Sequence, residues 1–131
     1  MPTQIAAKAT PILFAERIEP ALAFWEKVGF KRTSEVPAGD HLAFAILTNG
    51  QIELMYQTIE AVAEEAPPTR EAAAGSKTFL YVEVPSLAAV KKALAGVPVY
   101  VAERKMFYGT TEISYRDPAG HFVTFAEPEK K

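Results

Sequence analysis

Residues 117–127 read DPAGHFVTFAE, and this stretch decides the fold. Its first four residues are typical of a tight turn, and the apolar residues that follow are typical of a short buried strand. Residues 48–56, which read TNGQIELMY, repeat the pattern in the first half of the chain. Each copy follows an amphipathic helix by a few dozen residues. The sequence therefore predicts one module written twice, an arrangement that provides a cleft in which a functional site can lie.

The first half, residues 8–56, predicts a strand, a helix and three further strands. Ile18, Leu22, Trp25 and Val28 follow helical spacing and share one face, so we expect them to pack in the core. Strands are predicted at residues 9–14, 31–36, 41–47 and 51–56, with a two-residue hairpin turn at Asn49 and Gly50.

The second half, residues 78–127, repeats this order. Ser86 is a typical N-cap for a helix with one apolar face. Residues 57–77, rich in Glu, Ala and Pro, are predicted to form a linker that could include a short helix. Each half is therefore βαβββ, and the chain is predicted to be a single α+β domain. The strands of this half are predicted at residues 78–84, 97–101, 111–116 and 121–126, and residues 103–108 form a polar and aromatic connection.

The composition is that of an ordinary globular domain, with 131 residues of which 49% are hydrophobic and 23% charged. A net charge of −2 leaves no basic stripe to neutralise phosphates, which argues against a nucleic-acid partner. No apolar run approaches the roughly 18 residues of a membrane span, and no signal peptide is recognisable. There is no cysteine to form a disulfide or a thiolate. We expect a cytoplasmic protein without a membrane partner.

Three stretches carry a resemblance to a known family: residues 18–30, 79–87 and 115–127. Together with the strands between them, from about residue 8 to residue 127, they resemble the vicinal oxygen chelate superfamily. This superfamily includes glyoxalase I, extradiol dioxygenases and the fosfomycin- and bleomycin-resistance proteins. The resemblance implies curved mixed sheets that enclose a U-shaped cavity. It also implies a homodimer with cavities at the module or subunit interface, often formed by exchange of modules.

Metal-dependent members of this superfamily hold a divalent ion with His and Glu side chains from four strands. The corresponding four positions of this sequence carry one carboxylate, two hydroxyls and a phenyl ring. These groups offer too few donor atoms for a divalent metal site. His41 and His121 match none of the positions, and we expect both to be solvent-facing or structural. The resemblance therefore favours the bleomycin-resistance-like members that lack the metal ligands, and we expect neither a metal nor another cofactor. The four corresponding positions in this sequence are Thr10, Glu53, Phe79 and Thr124.

Strand alternation groups the candidate ligand-binding side chains into pairs that share a face. If these faces line the cavity, aromatic walls and two carboxylates favour flat molecules that are cationic or donate hydrogen bonds. Residues 106–108 precede the last hairpin and could close over a ligand. The candidate ligand-binding residues are Glu53, Met55, Phe79, Tyr81, Met106, Phe107, Tyr108, Glu112, Ser114 and Thr124.

These candidates also have plainer interpretations. Phe79 and Tyr81 could be ordinary core residues. Glu112 could face solvent or pair with Arg116 across a strand. Glu53, a carboxylate within an apolar strand, could lie in the pocket or on an exposed face.

Three functions follow from these observations. The first is metal-independent binding of a small, aromatic or cationic molecule, of the antibiotic-sequestration type, with no catalytic residues. The second is a lyase, isomerase or dioxygenase of the same superfamily that uses a relocated or incomplete metal site. The third is a metal-free enzyme with Glu53 or Glu112 as general base, which requires a carboxyl pKa raised toward neutrality.

Overall fold

A computed structural model describes residues 5–129, which form two four-stranded sheets, four α-helices and one 3₁₀ turn. None of the described helices is long and apolar enough to cross a membrane. The first half consists of β1 (Ile12–Ala15), α1 (Glu19–Lys27), β2 (Lys31–Ala38), β3 (His41–Thr48) and β4 (Glu53–Thr58). Then follow α2 (Ile59–Glu65), the 3₁₀ turn (Pro67–Thr69) and α3 (Arg70–Gly75). The second half consists of β5 (Phe79–Glu83), α4 (Leu87–Ala93), β6 (Val99–Lys105), β7 (Thr110–Arg116) and β8 (Phe122–Pro128).

The two sheets have the same topology. Their strand orders are β1-β4-β3-β2 and β5-β8-β7-β6. In each sheet the first and last strands of the module pair in parallel, and the other pairs are antiparallel. The prediction of an α+β fold built from two βαβββ modules is therefore confirmed.

Local sequence signals explain where the two module helices begin and end. Pro20 occupies the first turn of α1, where its missing N–H is no loss, and Gly29 follows the helix at φ +102°, a conformation that favours glycine. The Ser86 hydroxyl accepts a hydrogen bond from the Ala89 N–H at 3.1 Å and caps α4 as predicted.

Residues from both halves share one hydrophobic core, which lies between one face of each sheet and the helices. Trp25 of α1 is fully buried, packs edge-on against Phe30 at 5.0 Å and lies 6.5 Å from Phe125 of β8. The expectation that Trp25 packs in the core is confirmed. Because α1 contacts the second sheet as well as the first, the two halves are not independent folding units.

A buried hydrogen-bond network also joins the halves. The Trp25 Nε1–H donates to the Tyr56 hydroxyl at 2.8 Å, and this hydroxyl donates to the Asp117 carboxylate. Burial raises the pKa of Tyr56 far above its ordinary value, and the neighbouring Asp117 charge raises it further. The other Asp117 oxygen accepts from the N–H groups of Ala119 and His121.

His121 forms a second polar link between the halves. Its Nδ1 accepts from the Thr78 N–H at 2.9 Å, so its Nε2 carries the proton and donates to the Phe14 carbonyl at 2.9 Å. The ring is 1% exposed. Of the two expected roles of His121, solvent-facing or structural, the structure shows the structural one.

The segment between the modules differs from the predicted linker, because α2, the 3₁₀ turn and α3 occupy most of it. The Thr58 hydroxyl caps α2 by accepting from the Ala61 N–H at 3.1 Å. Val62, Ala63 and Ala73 are buried, so these helices pack on the protein. The alanine and glutamate content that resembles a linker is also favourable for helices.

Two boundaries near the predicted turns also differ from the sequence prediction. The Asn49 and Gly50 turn is not a two-residue hairpin, because Thr48 pairs with Glu53 and residues 49–52 form the loop. The Asn49 side chain accepts from the N–H groups of Gln51 and Ile52, which widens the turn. The connection predicted at residues 103–108 is shorter, since β6 continues to residue 105.

Candidate functional site

The face of the second sheet that points away from the core gathers most of the predicted site residues. Strand alternation places Leu80, Val82, Ile113 and Phe125 on the core side, and their sequence neighbours on the opposite side. We call this opposite side the outward face. It comprises Phe79, Tyr81, Glu83, Arg104, Glu112, Ser114, Arg116, Phe122 and Thr124, with Tyr108 and Thr110 at one end.

A buried carboxylate lies at the centre of the outward face. Glu112 is 2% exposed, and its Oε2 accepts hydrogen bonds from the hydroxyls of Tyr81, Tyr108 and Thr110, each at 2.7 Å. Its Oε1 lies 3.6 Å from Nη2 of Arg104. The interpretation of Glu112 as solvent-facing is therefore wrong, and its cationic neighbour is Arg104.

The proposed partner Arg116 has a different role. It stands in register with Phe122, and its guanidinium carbon lies 5.5 Å from the centre of that ring, a cation–π distance. The register of β6 explains the correction. Irregularities between Val99 and Val101, and between Val101 and Arg104, bring Arg104 opposite Glu112.

The hydrogen bonds around Glu112 fix its protonation state. Burial by itself would raise the pKa of this carboxyl, but the hydroxyls of Thr110, Tyr81 and Tyr108 and the charge of Arg104 together lower it below its ordinary value. Hydrogen bonding to the same carboxylate raises the pKa of both tyrosines. Glu112 is thus an ionised acceptor. A general base near neutrality requires a pKa shifted in the opposite direction, so this arrangement argues against that role.

A second polar group adjoins the first. The hydroxyls of Ser114 and Thr124 are 2.8 Å apart, and Nη2 of Arg104 lies 3.4 Å from the Ser114 oxygen. Nη1 of Arg104 is shielded from solvent and has no hydrogen-bond partner among residues 5–129. Sequence reasoning missed Arg104 and Thr110, and the irregularities in β6 interrupt the alternation that would otherwise assign Arg104 to a face.

Exposed aromatic rings surround this polar centre. Phe79 is 74% exposed and stacks on Phe122 at 4.7 Å with an interplanar angle of 17°, and Tyr81 is 57% exposed. The interpretation of Phe79 and Tyr81 as ordinary core residues is wrong for the chain on its own. Phe107, at the tip of the turn after β6, is almost fully exposed and meets Tyr108 edge-on at 5.1 Å. Met106 in the same turn is half-buried.

Two candidate ligand-binding residues, Glu53 and Met55, lie on the first sheet and contact other residues than those around Glu112. Glu53 is half-buried and forms an ion pair with Lys8 at 2.6 Å. Met55 is half-buried between Ile12 and Ile46 in the sheet register. Among the described residues, Glu53 and Glu112 have no hydrogen-bond partner in common.

The donors present do not fit a divalent metal at the four positions that the sequence resemblance implies. Thr10 precedes β1, Glu53 is engaged by Lys8, Phe79 has no donor atom, and the Thr124 hydroxyl is bonded to Ser114. No group of three or more His, Asp or Glu side chains within residues 5–129 could hold a metal ion. We therefore derive no chemistry through a metal.

A groove lies elsewhere, at the junction of the two modules on the helix side. It has a volume of about 380 Å³, and none of the ten candidate residues lines it. Its walls are mainly apolar and its rim carries Lys27 and Glu83. The groove is the more enclosed of the two candidate ligand sites, since the outward face is an open surface. The exposed rings and placed polar groups nevertheless favour the outward face as the ligand site. Its apolar lining is formed by Val28, Phe30, Val82, Val84, Val90 and Phe125.

No protein-family model matches the sequence, and no curated protein matches it. Solved structures do match. A lactoylglutathione lyase from Agrobacterium tumefaciens superposes with a TM-score of 0.71 at 19% identity, over 95% of each chain. A glyoxalase/bleomycin resistance protein/dioxygenase family enzyme from Burkholderia phytofirmans gives 0.72 at 20% identity, over 91% of this chain and 96% of the other. A bleomycin-binding protein complexed with bleomycin gives 0.59 at 19% identity, over 95% of this chain and all of the other.

These likenesses establish the fold. They confirm, over nearly the whole chain, the fold that the resemblance to the vicinal oxygen chelate superfamily implied. The similar structures include both an enzyme and a drug-binding protein, so the fold alone does not select between those functions.

Proposed function

We propose that this chain, sharing its fold with glyoxalases and bleomycin-binding proteins, binds a small aromatic molecule on the outward face without a metal. We propose further that it sequesters this molecule rather than transforming it. The observation that carries the proposal is the combination of exposed rings with a fixed polar centre. Phe79, Tyr81, Phe107 and Tyr108 offer ring surfaces for stacking, and the buried Glu112 beneath them already accepts three hydroxyl hydrogen bonds.

The preformed network supports a binding role. Because the hydroxyls of Tyr81, Tyr108 and Thr110 are held by one carboxylate, the rings of the two tyrosines are already oriented before a ligand arrives. Side chains that are ordered in advance lose less conformational entropy on binding, so more of the stacking energy contributes to affinity.

The chemistry of the donors supports sequestration over catalysis. The positions that would hold a metal offer too few donors, and Glu112 is held ionised by its neighbours rather than poised as a base. The bleomycin-binding protein of this fold is a precedent for binding an antibiotic, and a compound of that kind is one candidate ligand.

We also propose that the chain forms a homodimer. Phe79, Tyr81 and Tyr108 of the outward face are each more than half exposed. So are Tyr100, whose ring lies 4.7 Å from that of Phe122, and Phe107 in the adjoining turn. Apolar patches of this extent are uncommon on monomers unless they have a function. A second copy placed against this face would convert the open surface into a cavity at the subunit interface. Sedimentation equilibrium at micromolar concentration tests this, and a mass of about 14.3 kDa at every concentration would exclude the dimer.

Titration calorimetry with a panel of flat aromatic compounds tests the binding proposal. Phe107→Ala removes a ring that is 97% exposed, so the fold is unaffected while the stacking surface is lost. We expect about fivefold weaker binding, since aromatic contacts contribute on the order of 1 kcal/mol each. Ile52→Ala is the matched control, because it removes an exposed apolar side chain in the loop before β4. Equal effects of the two substitutions, or no binding by any compound, would contradict the proposal.

Elemental analysis of protein purified without chelators tests metal independence. We expect sub-stoichiometric metal, and we expect affinity for an aromatic ligand to be the same with and without a chelator. Near-stoichiometric metal together with a loss of affinity on chelation would move the protein to the enzyme alternative.

A further inference from the structure

The guanidinium of Arg104 has unused donor capacity on the outward face. Its bond to the Ser114 oxygen is long at 3.4 Å, and its contact with Glu112 at 3.6 Å is beyond hydrogen-bond range. Its Nη1 has no hydrogen-bond partner within residues 5–129 although it is shielded from solvent. Shielded donors without a partner are rare in folded proteins and call for an explanation.

Glu112 does not satisfy these donors because it is held by other groups, and its Oε1 stays 3.6 Å from Nη2 of Arg104. Three hydroxyl groups donate to its Oε2, and they hold the carboxylate in place. The guanidinium therefore lies beside a fixed charge that orients it without saturating it. About one third of the Arg104 side chain is exposed, so a molecule on the outward face can contact this side chain, and its acceptor reaches the shielded Nη1 once the guanidinium turns toward it.

The charges of the outward face do not favour a cation. Arg104 and Arg116 balance Glu83 and Glu112, and Glu112 is further screened by the hydroxyls that surround it. The expectation of a cationic ligand depended on free carboxylates, and Glu112 does not supply one. The unsatisfied group on this face is a donor, so the missing partner is an acceptor.

We propose that the aromatic ligand carries a planar oxygen acceptor, a carboxylate or a conjugated carbonyl, that binds Arg104 while the ring stacks on the exposed aromatic side chains. This inference rests on the proposed function and specifies its ligand class. The planar fork of an arginine matches two oxygen lone pairs in one plane. The carboxylate of Glu112 is surrounded by the hydroxyls of Tyr81 and Tyr108 and by Nη2 of Arg104. The stacking surface of the two tyrosines therefore adjoins the arginine donor.

Three probes with one ring system separate the possible ligand classes: 2-naphthoate, 2-naphthamide and 2-naphthylmethylammonium. Titration calorimetry of the wild-type protein is expected to give binding of naphthoate or naphthamide about tenfold or more tighter than the ammonium compound, as for one charge-assisted hydrogen bond. The ratio of naphthoate to naphthamide affinity then distinguishes a carboxylate ligand from a carbonyl ligand.

Arg104→Gln should abolish the preference for the oxygen-bearing probes while leaving weak binding of the ring. Arg104→Lys keeps the charge but loses the planar fork, and should bind naphthoate more weakly than wild type. Arg32→Gln is the matched control, because Arg32 pairs with Glu26 and Glu35 on the first module, and it should leave all three affinities unchanged.

The outcomes separate this inference from the function on which it rests. If the ammonium compound binds wild type as tightly as naphthoate and naphthamide, the inference is overturned while aromatic binding stands. The same holds if Arg104→Gln, folded by circular dichroism, keeps the preference. If no probe binds, both proposals fail. Because the wild-type ranking alone can overturn the inference, a variant that failed to fold would not leave it untested.

Discussion

Replacing Tyr56 by Phe should destabilise the protein strongly, although it removes only one oxygen atom. The hydroxyl is buried, accepts from Trp25 Nε1 and donates to Asp117, so its loss leaves a buried donor and a buried carboxylate oxygen without partners. An unpaired buried donor costs about 1–3 kcal/mol, and a hydrogen bond to a charged group contributes about 1.5–3 kcal/mol. Allowing for partial relaxation, we expect the free energy of unfolding to fall by about 3 kcal/mol.

Urea denaturation followed by circular dichroism measures this loss. With a slope of about 1.5 kcal/mol per molar urea, the unfolding midpoint should fall by about 2 M without a change of slope. Tyr115→Phe is the matched control, because Tyr115 is buried in the same core but its hydroxyl has no hydrogen bond among the described residues. It should change the free energy of unfolding by less than about 0.5 kcal/mol.

Two results would refute this reasoning. Equal midpoints for Tyr56→Phe and Tyr115→Phe would mean that the network between the halves contributes nothing to stability. A lower slope with two transitions would mean that the halves unfold separately, contrary to the shared core.

Three further outcomes are expected. Because the pKa of Tyr56 is raised in the folded state, its contribution to stability is fully present below the ordinary tyrosine pKa of about 10 and is lost above it. Stability should therefore fall by up to about 1.4 kcal/mol per pH unit in alkali, and titration of Tyr56→Phe should show a shallower decline. His121→Phe removes the ring bonds to the Thr78 N–H and to a β1 carbonyl, and calorimetric melting should show a loss of about 2 kcal/mol; an unchanged melting temperature would contradict the structural role. Gly29→Ala, at φ +102°, should lose about 1–2 kcal/mol, whereas Gly75→Ala, where φ is not positive, should lose less.

Features that depend on neighbouring residues could be predicted from the sequence. The Ser86 cap, the positive φ of Gly29 and the core face of α1 follow from spacing over a few residues, and the structure contains all three. The doubled βαβββ order was predictable for the same reason, since each turn and strand has its own local signal. Strand ends were less predictable, because pairing across the sheet rather than local propensity decides them.

Features that depend on distant residues could not be predicted from the sequence. Tyr56 and Asp117 are separated by 61 positions, and no periodicity links them. The pairing of Glu112 with Arg104 rather than Arg116 depends on irregularities in β6 that shift the register. The sequence predicts at most one short helix between the modules rather than both α2 and α3, because their Glu, Ala and Pro content is equally typical of a linker. The local signal for α2 is the Thr58 cap.

The hydrogen bonds between the halves have a consequence for a chain cut in two. A break between Ala66 and Pro67 would place Trp25 and Tyr56 on one fragment and Asp117 on the other. Each fragment alone would expose half of a common core and an unmatched polar group, so neither should fold by itself. Mixed together, they should associate and recover the native spectrum, because the contacts that join them do not require a continuous backbone. The protein is therefore a candidate for fragment complementation. The reassembled fragments should bind a ligand on the outward face as the intact chain does, because that binding does not require a peptide bond between the halves.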